Sequence, residues 1–355
     1  MTRVRIPLSN TLAALLVAAL AACGGGGGDA PPTSSATLDI SAANRNMVAH
    51  ASAAGVLSSS PTAAVPLAAA RDRREALGQS GVLSAARSGR LLAALLQPLR
   101  SPAAPALLGA REQAQAVIGP VVEACALSGT VSVSIDDRDN NAVPSVGDVL
   151  TITFNQCRDS ANETLNGSAS ASYTQISTAP IAVHARLTAT QLSAVTANHT
   201  LTLNGTLLLE FAQASATVAT IRLTAEGAVT VAVSTTLPFS DTVTLQNGYT
   251  QLDRYDAAAL PPPGSSVPGR TESTVQGSLH SAQAGGIIEV ATLPGAPFVT
   301  YDADAYPRAG VLQVKGRNGT LLMTAVSAAS VRLDLDADNN GSFKSSETVG
   351  WDWLL

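Results

Sequence analysis

The densest group of residues that could do chemistry lies near the end of the sequence, where oxygen-bearing side chains alternate with others. Asp336, Asp338 and Asn340 lead the group, and Glu347 stands at the twelfth position counted from the first aspartate. Calcium takes six to eight oxygen ligands, among them carboxylates, amides and backbone carbonyls. These side chains and the carbonyl of Ser342 would supply such a set. We therefore predict calcium binding here, with a solvated Asp/Asn/Gly hairpin as the alternative.

The spacing resembles the calcium loop of EF-hand proteins, which has glycine at its sixth position and a hydrophobic residue at its eighth. Gly341 and Phe343 occupy those two positions. Lys344 departs from the pattern, because the ninth position usually holds an oxygen ligand or water. The residues before the loop, 331–335, alternate like a strand and not like a helix. The resemblance therefore implies an isolated calcium turn set among strands, with no helix pair around it.

A weaker copy of the same spacing lies in the first half of the chain. It consists of Asp137, Asp139 and Asn141, with Asp148 at the twelfth position, while Ala142 replaces the glycine. Aspartate is also a shorter closing ligand than glutamate. We keep both interpretations of this copy open, a calcium site and a plain acidic turn.

Two cysteines flank this weaker copy. Cys125 and Cys157 form an even pair once Cys23 is set aside, as explained below. In an oxidising compartment such a pair predicts a disulfide, and two separate buried thiols are the alternative. A bridge closing a loop of about thirty residues would stabilise the fold by about 3–4 kcal/mol in the chain-entropy account. We expect one reinforced hairpin that carries an acidic loop.

The compartment is predicted from the first residues. Arg3 and Arg5 precede an apolar run over residues 11–20, and small residues lead to Cys23. A basic start, a short apolar core and small residues before the cut are typical of a secretory signal peptide. The sequence Leu20-Ala21-Ala22-Cys23 resembles the lipobox of bacterial lipoproteins. An ordinary signal peptide with a chance cysteine is the alternative.

The lipobox resemblance implies that residues 1–22 are removed and that Cys23 carries a diacylglycerol. Gly24 follows the cysteine where proteins kept in the inner membrane usually have Asp, so the resemblance implies an outer-membrane lipoprotein facing the periplasm or the exterior. Residues 23–36, rich in Gly, Pro, Ser and Thr, would then be a flexible tether. The lipid is the predicted partner by which the protein meets the membrane.

Residues 37–122 are predicted to be helical and irregular. Leucines recur at helical spacing in 92–99, and a second candidate helix runs from Leu107 to Ile118 and ends at Gly119-Pro120. Arginines scattered through 71–111 could lie on anionic head groups or form the solvated faces of helices.

The rest of the chain, 123–355, predicts a mainly β domain. Apolar and polar residues alternate strictly in several runs, as in 131–135 and 221–225, which is typical of antiparallel strands with one wet face. Four Asn-Gly pairs predict hairpins by their type I′ turn preference: Asn166-Gly167, Asn204-Gly205, Asn247-Gly248 and Asn318-Gly319. We expect a large antiparallel meander, either a sandwich or a curled half-barrel, with a helical segment before it.

Composition and motifs limit the function classes. The net charge of −5 gives no basic field for nucleic acid. The four histidines show no metal spacing, and no known catalytic motif is present. An acidic–aromatic stretch, 301–306, could line a binding site or form an exposed loop. Trp351 and Trp353 would share one face if they lay in a strand, either as a packed plug or as a platform for a sugar ring.

We therefore expect a non-enzymatic, calcium-stabilised envelope or surface lipoprotein with a binding or structural role. The ligand, whether protein, glycan or lipid, is not specified by the sequence. The first alternative is a lipid or lipoprotein carrier, in which a half-barrel encloses an acyl chain. The second is a hydrolase whose site is assembled from residues far apart in the sequence.

Overall fold

The predicted fold class is confirmed in a computed structural model: one antiparallel sheet of 16 strands follows a short N-terminal helix. The structure describes residues 37–58, 117–141, 145–160, 163–195, 199–235 and 240–354. The predicted signal peptide, Cys23, the predicted tether, the arginine-rich region 71–111 and the leucine repeat of 92–99 lie outside the described residues.

The strands alternate in direction along the sheet and are joined mostly by short turns. They are β1 (Val117–Ala124), β2 (Ser128–Asp136), β3 (Val149–Ser160), β4 (Glu163–Thr178), β5 (Ile181–Val195), β6 (His199–Gln213), β7 (Val218–Thr235), β8 (Asp241–Leu245), β9 (Thr250–Asp256), β10 (Arg270–Ser281), β11 (Gly286–Thr292), β12 (Phe298–Tyr301), β13 (Val311–Lys315), β14 (Thr320–Ser327), β15 (Ser330–Asp336) and β16 (Ser345–Gly350). The helices are α1 (Arg45–Ser58) and α2 (Trp351–Leu354).

The second predicted helix is wrong at its C-terminal end. Val117 and Ile118 belong to β1, where they pair with Asp136 and Ile135 of β2. Both residues are β-branched and fit a pleated ladder at least as well as a helix. The helical spacing of apolar residues up to this point therefore did not distinguish a strand from a helix.

The two ends of the sheet carry different connecting loops, and we call them the far end and the tether end. At the far end, β2 and β3 are joined by residues 137–148. At the opposite end, which we call the tether end, β13 and β14 are joined by 316–319 and β15 and β16 by 337–344. Residues 37–40 lie at the tether end, where the backbone nitrogen of Leu38 donates to the carbonyl of Ile287 and its own carbonyl accepts from Arg317.

The longest strands are interrupted by bulges that line up across the sheet. The register shifts in the same region of each pair from β2–β3 to β6–β7. The residues with positive φ along this row are Gly129, Gln156, Gly167, Gln191, Gly205 and Gly227. An aligned row of bulges strengthens the local twist of every strand it crosses, so it bends the sheet as a whole.

Three of the four Asn-Gly hairpin predictions are wrong because the pairs build this row. Asn166-Gly167 and Asn204-Gly205 lie inside β4 and β6. Asn247-Gly248 lies between β8 and β9, which continue one another along the same partners, β7 and β10. Asn318-Gly319 does turn the chain between β13 and β14, so that hairpin is confirmed.

The asparagines of the row bond to the neighbouring strand. Asn166 Oδ1 accepts a hydrogen bond from the backbone nitrogen of Gln156 at 2.9 Å, and Asn204 Oδ1 accepts one from Gln191 at 2.6 Å. Asn247 Oδ1 accepts from Gly227 at 2.9 Å. Each side chain thereby satisfies a backbone donor that the bulge removes from the ladder.

Helix α1 lies inside the curve of the sheet. It contacts β7, β8, β10, β14 and α2, and its residues from Val48 to Val56 are buried on every side. Small residues make this possible: a Cβ added to Gly55 would come within 2.8 Å of Leu279 in β10. A helix buried all round is a core element and not a surface one. The chain's own N-terminal helix therefore covers the face of the sheet beside β7, β8, β10 and β14.

Candidate metal-binding loops

The two loops that the sequence predicts as calcium sites adopt the same local conformation. Asn140 and Asn339 both have positive φ, 56° and 53°. Directly after them, Asn141 Nδ2 donates to Asp139 Oδ2 and Asn340 Nδ2 donates to Asp338 Oδ2, each at 2.8 Å. Asparagine adopts the left-handed region more readily than most residues, so the Asp-x-Asp-Asn-Asn sequence common to both loops explains the shared turn.

The first aspartate of each loop accepts bonds from the backbone it turns over. Asp137 Oδ1 accepts from the nitrogen of Asn141 at 3.2 Å, and Asp336 Oδ1 accepts from that of Asn340 at 3.3 Å. Asp336 Oδ2 also accepts from Gly341 at 2.8 Å. Burial raises the pKa of Asp336, but the hydrogen bonds from Gly341 and the other donors of its loop outweigh this effect and lower the pKa.

The loops differ in the carboxylate at the twelfth position. In the far-end loop, ligand oxygens of Asp137, Asp139 and Asp148 all lie within 4.8 Å of one another. Asp148 is held there because its carboxylate accepts from the backbone nitrogens of Arg138 at 2.9 Å and Ser145 at 2.7 Å. Three converging carboxylates are an arrangement that a divalent cation could occupy.

Ser145 is a residue that the sequence reasoning missed. Its hydroxyl oxygen lies between two of these carboxylates, 2.8 Å from Asp139 Oδ2 and 3.1 Å from Asp148 Oδ2, so its one hydrogen has two alternative acceptors. This serine stands at the ninth position of the loop, where the EF-hand pattern has an oxygen ligand or water, so the spacing did contain the signal. The corresponding residue in the tether-end loop is Lys344.

Charge and burial set the electrostatics of the far-end loop. Asp137 and Asp148 are buried, and Asp139 is exposed. The hydroxyl of Ser145 is the main cause of the lowered pKa of Asp139, which favours the ionised carboxylate. Burial, and then the nearby negative charge of Asp148, raises the pKa of the Tyr173 phenol. The loop therefore concentrates negative charge beside buried protein, which a cation would offset.

Glu347 lies away from the tether-end loop. It belongs to β16, where it pairs with Leu333, and its carboxylate is ion-paired with Arg45 of α1. Ser342 is in the loop, and its backbone nitrogen donates to Asn340 Oδ1 at 2.8 Å. The structure thus brings together Asp336, Asp338 and Asn340 but not the predicted closing carboxylate.

The predicted disulfide is present. Cys125 and Cys157 are bonded across 32 positions of sequence, and both are buried. The bond lies at the tether end of the hairpin formed by β2 and β3, whereas the Asp137–Asp148 loop lies at its far end. One hairpin is therefore held at both ends, covalently at one and by the acidic loop at the other.

The acidic–aromatic stretch 301–306 packs into the fold. Tyr255 donates its hydroxyl hydrogen to Asp302 Oδ2 at 2.8 Å, and Tyr306 donates to Asp352 Oδ1 at 2.7 Å. Burial, followed by the bond to Asp352, raises the pKa of Tyr306. These contacts fasten the stretch to β9 and α2, so its tyrosines serve the packing of this part of the protein.

The tryptophan pair lies in α2, so the expectation of a shared strand face is wrong. Trp351 is buried, stacks on Tyr306 with ring centroids 6.1 Å apart, and donates its Nε1 hydrogen to the carbonyl of Pro307 at 3.1 Å. Trp353 instead meets His50 with ring centroids 4.7 Å apart. Trp351 therefore forms the packed plug, since a buried indole offers no face to a sugar.

His50 is the buried histidine of α1. Its Nδ1 lies 2.9 Å from the carbonyl oxygen of Leu354. Burial lowers its pKa to about 4, against the smaller raising effects of Leu354 and Asp241. The imidazole is thus neutral at physiological pH and joins α1 to the end of α2.

Comparison with known proteins finds no counterpart: the chain matches no protein-family model, and neither a curated protein nor a solved structure is significantly similar to it. Among the described residues, no helix is both long and apolar enough to cross a bilayer.

Proposed function

We propose that this chain is an exported lipoprotein with a non-enzymatic binding or structural role in the bacterial envelope, anchored through Cys23 and stabilised by calcium at its far-end loop. The observation that carries the calcium proposal is the convergence of Asp137, Asp139 and Asp148, with ligand oxygens within 4.8 Å of one another. The anchor proposal is supported by the lipobox resemblance of residues 20–23.

The far-end loop is the better of the two candidate calcium sites. It offers three carboxylates and the hydroxyl of Ser145, whereas in the tether-end loop Glu347 is engaged with Arg45. Lys344 adds a positive charge to the tether-end loop, which disfavours a cation. We therefore propose calcium at Asp137, Asp139 and Asp148, with Asn141 offering a further carbonyl oxygen.

Calcium in this place would stabilise the fold and would not signal. The loop joins two paired strands, so there is no helix pair to open and no groove to expose. A ligand that binds only the folded state raises its stability by RT ln(1 + [L]/Kd), about 2.7 kcal/mol at a hundredfold excess over Kd. Extracellular modules bind calcium with Kd of about 10⁻⁴ to 10⁻³ M, which suits an exported protein.

Thermal melts with and without millimolar calcium test the calcium proposal. We expect calcium to raise the Tm of the wild type and of Glu347→Gln, but not that of Asp148→Asn, which keeps an acceptor oxygen at the same place. Magnesium at the same concentration is the control for a general effect of divalent cations on Tm. An unchanged wild-type Tm, or an equal rise in Asp148→Asn, would mean that the far-end loop is only an acidic turn.

The anchor proposal has its own test. Cys23→Ser should move the protein from the membrane fraction to the soluble fraction of the envelope. If the Cys23→Ser variant stayed in the membrane fraction, the anchor proposal would be contradicted. The carrier alternative needs an open apolar cavity inside the sheet, and we do not propose it because α1 packs against β7, β8 and β10 there.

A further inference from the structure

We infer that the tether end of the sheet, with Phe343 and Lys344 in loop 337–344, is the surface that faces and contacts the lipid bilayer. This inference rests on the proposed lipid anchor at Cys23 and goes further by assigning the orientation of the protein and its point of membrane contact. The partner is the interface of the membrane to which the chain is attached, with anionic head groups.

The place where the chain enters the fold is the first argument. Thr37 forms a bridge with Ile287, and the carboxylate of Asp39 is ion-paired with Arg317 in the turn between β13 and β14. A Cβ at Gly316 or Gly319 would come within 2.3 or 2.4 Å of the carbonyl oxygens of Leu38 and Ile40, so the segment lies hard against this turn. The path from Cys23 therefore ends at the tether end.

Length is the second argument. Thr37 is the fourteenth residue after Cys23, and fourteen residues reach at most about 50 Å at about 3.5 Å each. Strand β7 has 18 residues, which at about 3.3 Å each is close to 60 Å along the strand. With β7 upright on the membrane, even fully extended connecting residues would therefore fall about 10 Å short of letting the far end touch it. The tether end can touch the membrane whenever the residues between Cys23 and Thr37 are less than fully extended.

The side chains at the tether end supply the third argument. Thr320 donates its hydroxyl hydrogen to Asn339 Oδ1 at 2.7 Å, which holds loop 337–344 beside the turn that receives Asp39. Phe343 in this loop is 39% exposed. The only lysines of the whole chain, Lys315 and Lys344, are both exposed and both lie at this end. An apolar ring beside cationic amines suits the interface of a bilayer that contains anionic lipid.

Exposed apolar residues alone would not select this end. Leu260, which lies in the far-end connection between β9 and β10, is 84% exposed. It is more accessible than Phe343, so a contact governed only by exposed hydrophobicity would use the far end. The position of the anchor distinguishes the two ends, since the far end also has an exposed cation, Arg138, and Leu260 provides a matched control.

The test uses the lipidated full chain in vesicles of phosphatidylethanolamine and phosphatidylglycerol, some carrying brominated acyl chains that quench tryptophan. Two variants are compared, Phe343→Trp and Leu260→Trp, after subtracting the signal of the parent protein with Trp351 and Trp353. We expect quenching of the Phe343→Trp indole to exceed that of Leu260→Trp by about twofold or more, because an interfacial side chain enters the head-group region.

Flotation of the same samples separates the two proposals. Protein that floats with the vesicles but shows no greater quenching for Phe343→Trp, or shows more for Leu260→Trp, overturns the orientation while the anchor stands. Protein that does not float contradicts the anchor and the orientation with it. Weaker Phe343→Trp quenching in Lys344→Glu, with flotation unchanged, is the result expected from the lysine contact, and unaltered quenching would contradict that part.

Discussion

Arg45, in the first turn of α1, is ion-paired with Glu347 of β16, and its other terminal nitrogen donates to Ser345 Oγ at 2.8 Å. The guanidinium is largely enclosed, with 14% of the Arg45 side chain exposed. The pair fastens the first helix to the last strand. The Glu347 carboxylate thereby has a structural partner, Arg45, in the described part of the fold.

The first prediction concerns this pair. Glu347→Gln should lower the free energy of unfolding by about 1 kcal/mol, because a half-exposed ion pair contributes up to that amount. Chemical denaturation without calcium measures the loss. Arg332→Gln, which breaks an ion pair between neighbours on one strand, is the control and should cost less. A Glu347→Gln protein as stable as the wild type would show that the pair contributes nothing measurable.

The second prediction concerns the bulge row. A Cβ at Gly167 would lie 2.0 Å from the carbonyl oxygen of Gln191, and the residue has φ of 90°. Gly227 has a similar φ of 78° but nothing within 4 Å of such an atom. Gly227→Ala should therefore cost about 1 kcal/mol for the backbone conformation alone, and Gly167→Ala about 3 kcal/mol or more because β4 and β5 must separate. Equal losses in urea unfolding would argue against a tight row.

The third prediction is a pH dependence set by His50. Burial lowers its pKa from 6.5 to about 4, so as the pH falls the unfolded chain binds a proton before the folded protein does. Stability should then fall between about pH 6.5 and 4, by at most about 1.4 kcal/mol per pH unit, and this contribution should level off below. His50→Asn should remove most of that slope. A slope that persists in this variant would assign it to other groups.

The fourth prediction concerns the two ends of the β2–β3 hairpin. Replacing both Cys125 and Cys157 by Ser should cost about 2–4 kcal/mol. The acidic loop at the other end is separated from the disulfide by most of the length of β2, so the calcium proposed to bind there should act independently of the disulfide. Calcium should therefore raise the Tm of the double variant by about as much as that of the wild type. A calcium effect that vanishes without the disulfide would mean that the loop needs the bond to form.

The acidic loops show how far spacing alone can predict a site. The repeated Asp-x-Asp-Asn-Asn sequence correctly indicated two turns of one kind, because local hydrogen bonds from side chain to backbone determine them. The twelfth position depends on where the next strand begins. Ser345 already pairs with Leu335, so Glu347 is drawn into the ladder, whereas Asp148 precedes β3 and stays in its loop.

The strands were predictable from alternation, but the bulges were not predicted. An Asn-Gly pair between two alternating runs has the same local sequence whether the chain reverses there or continues in the same direction. The feature that separates the cases is long-range: Gly129, Gly167 and Gly205 recur 38 residues apart and lie on alternate strands of the sheet, β2, β4 and β6, in the same row of bulges. The burial of α1 was equally hidden, since its alanines show no apolar stripe.

The enclosed position of α1 has a consequence for the order in which the protein folds. The meander forms from neighbours in sequence, so its hairpins can close one after another. Helix α1 precedes every strand of the sheet in the sequence, yet it needs Glu347, 302 positions later, to complete its surroundings. Contacts between residues so far apart in the sequence form slowly, because the chain must lose the entropy of closing a long loop before the contact stabilises it. We therefore expect α1, although it comes first in the sequence, to be the last element to dock, against a sheet that has already assembled.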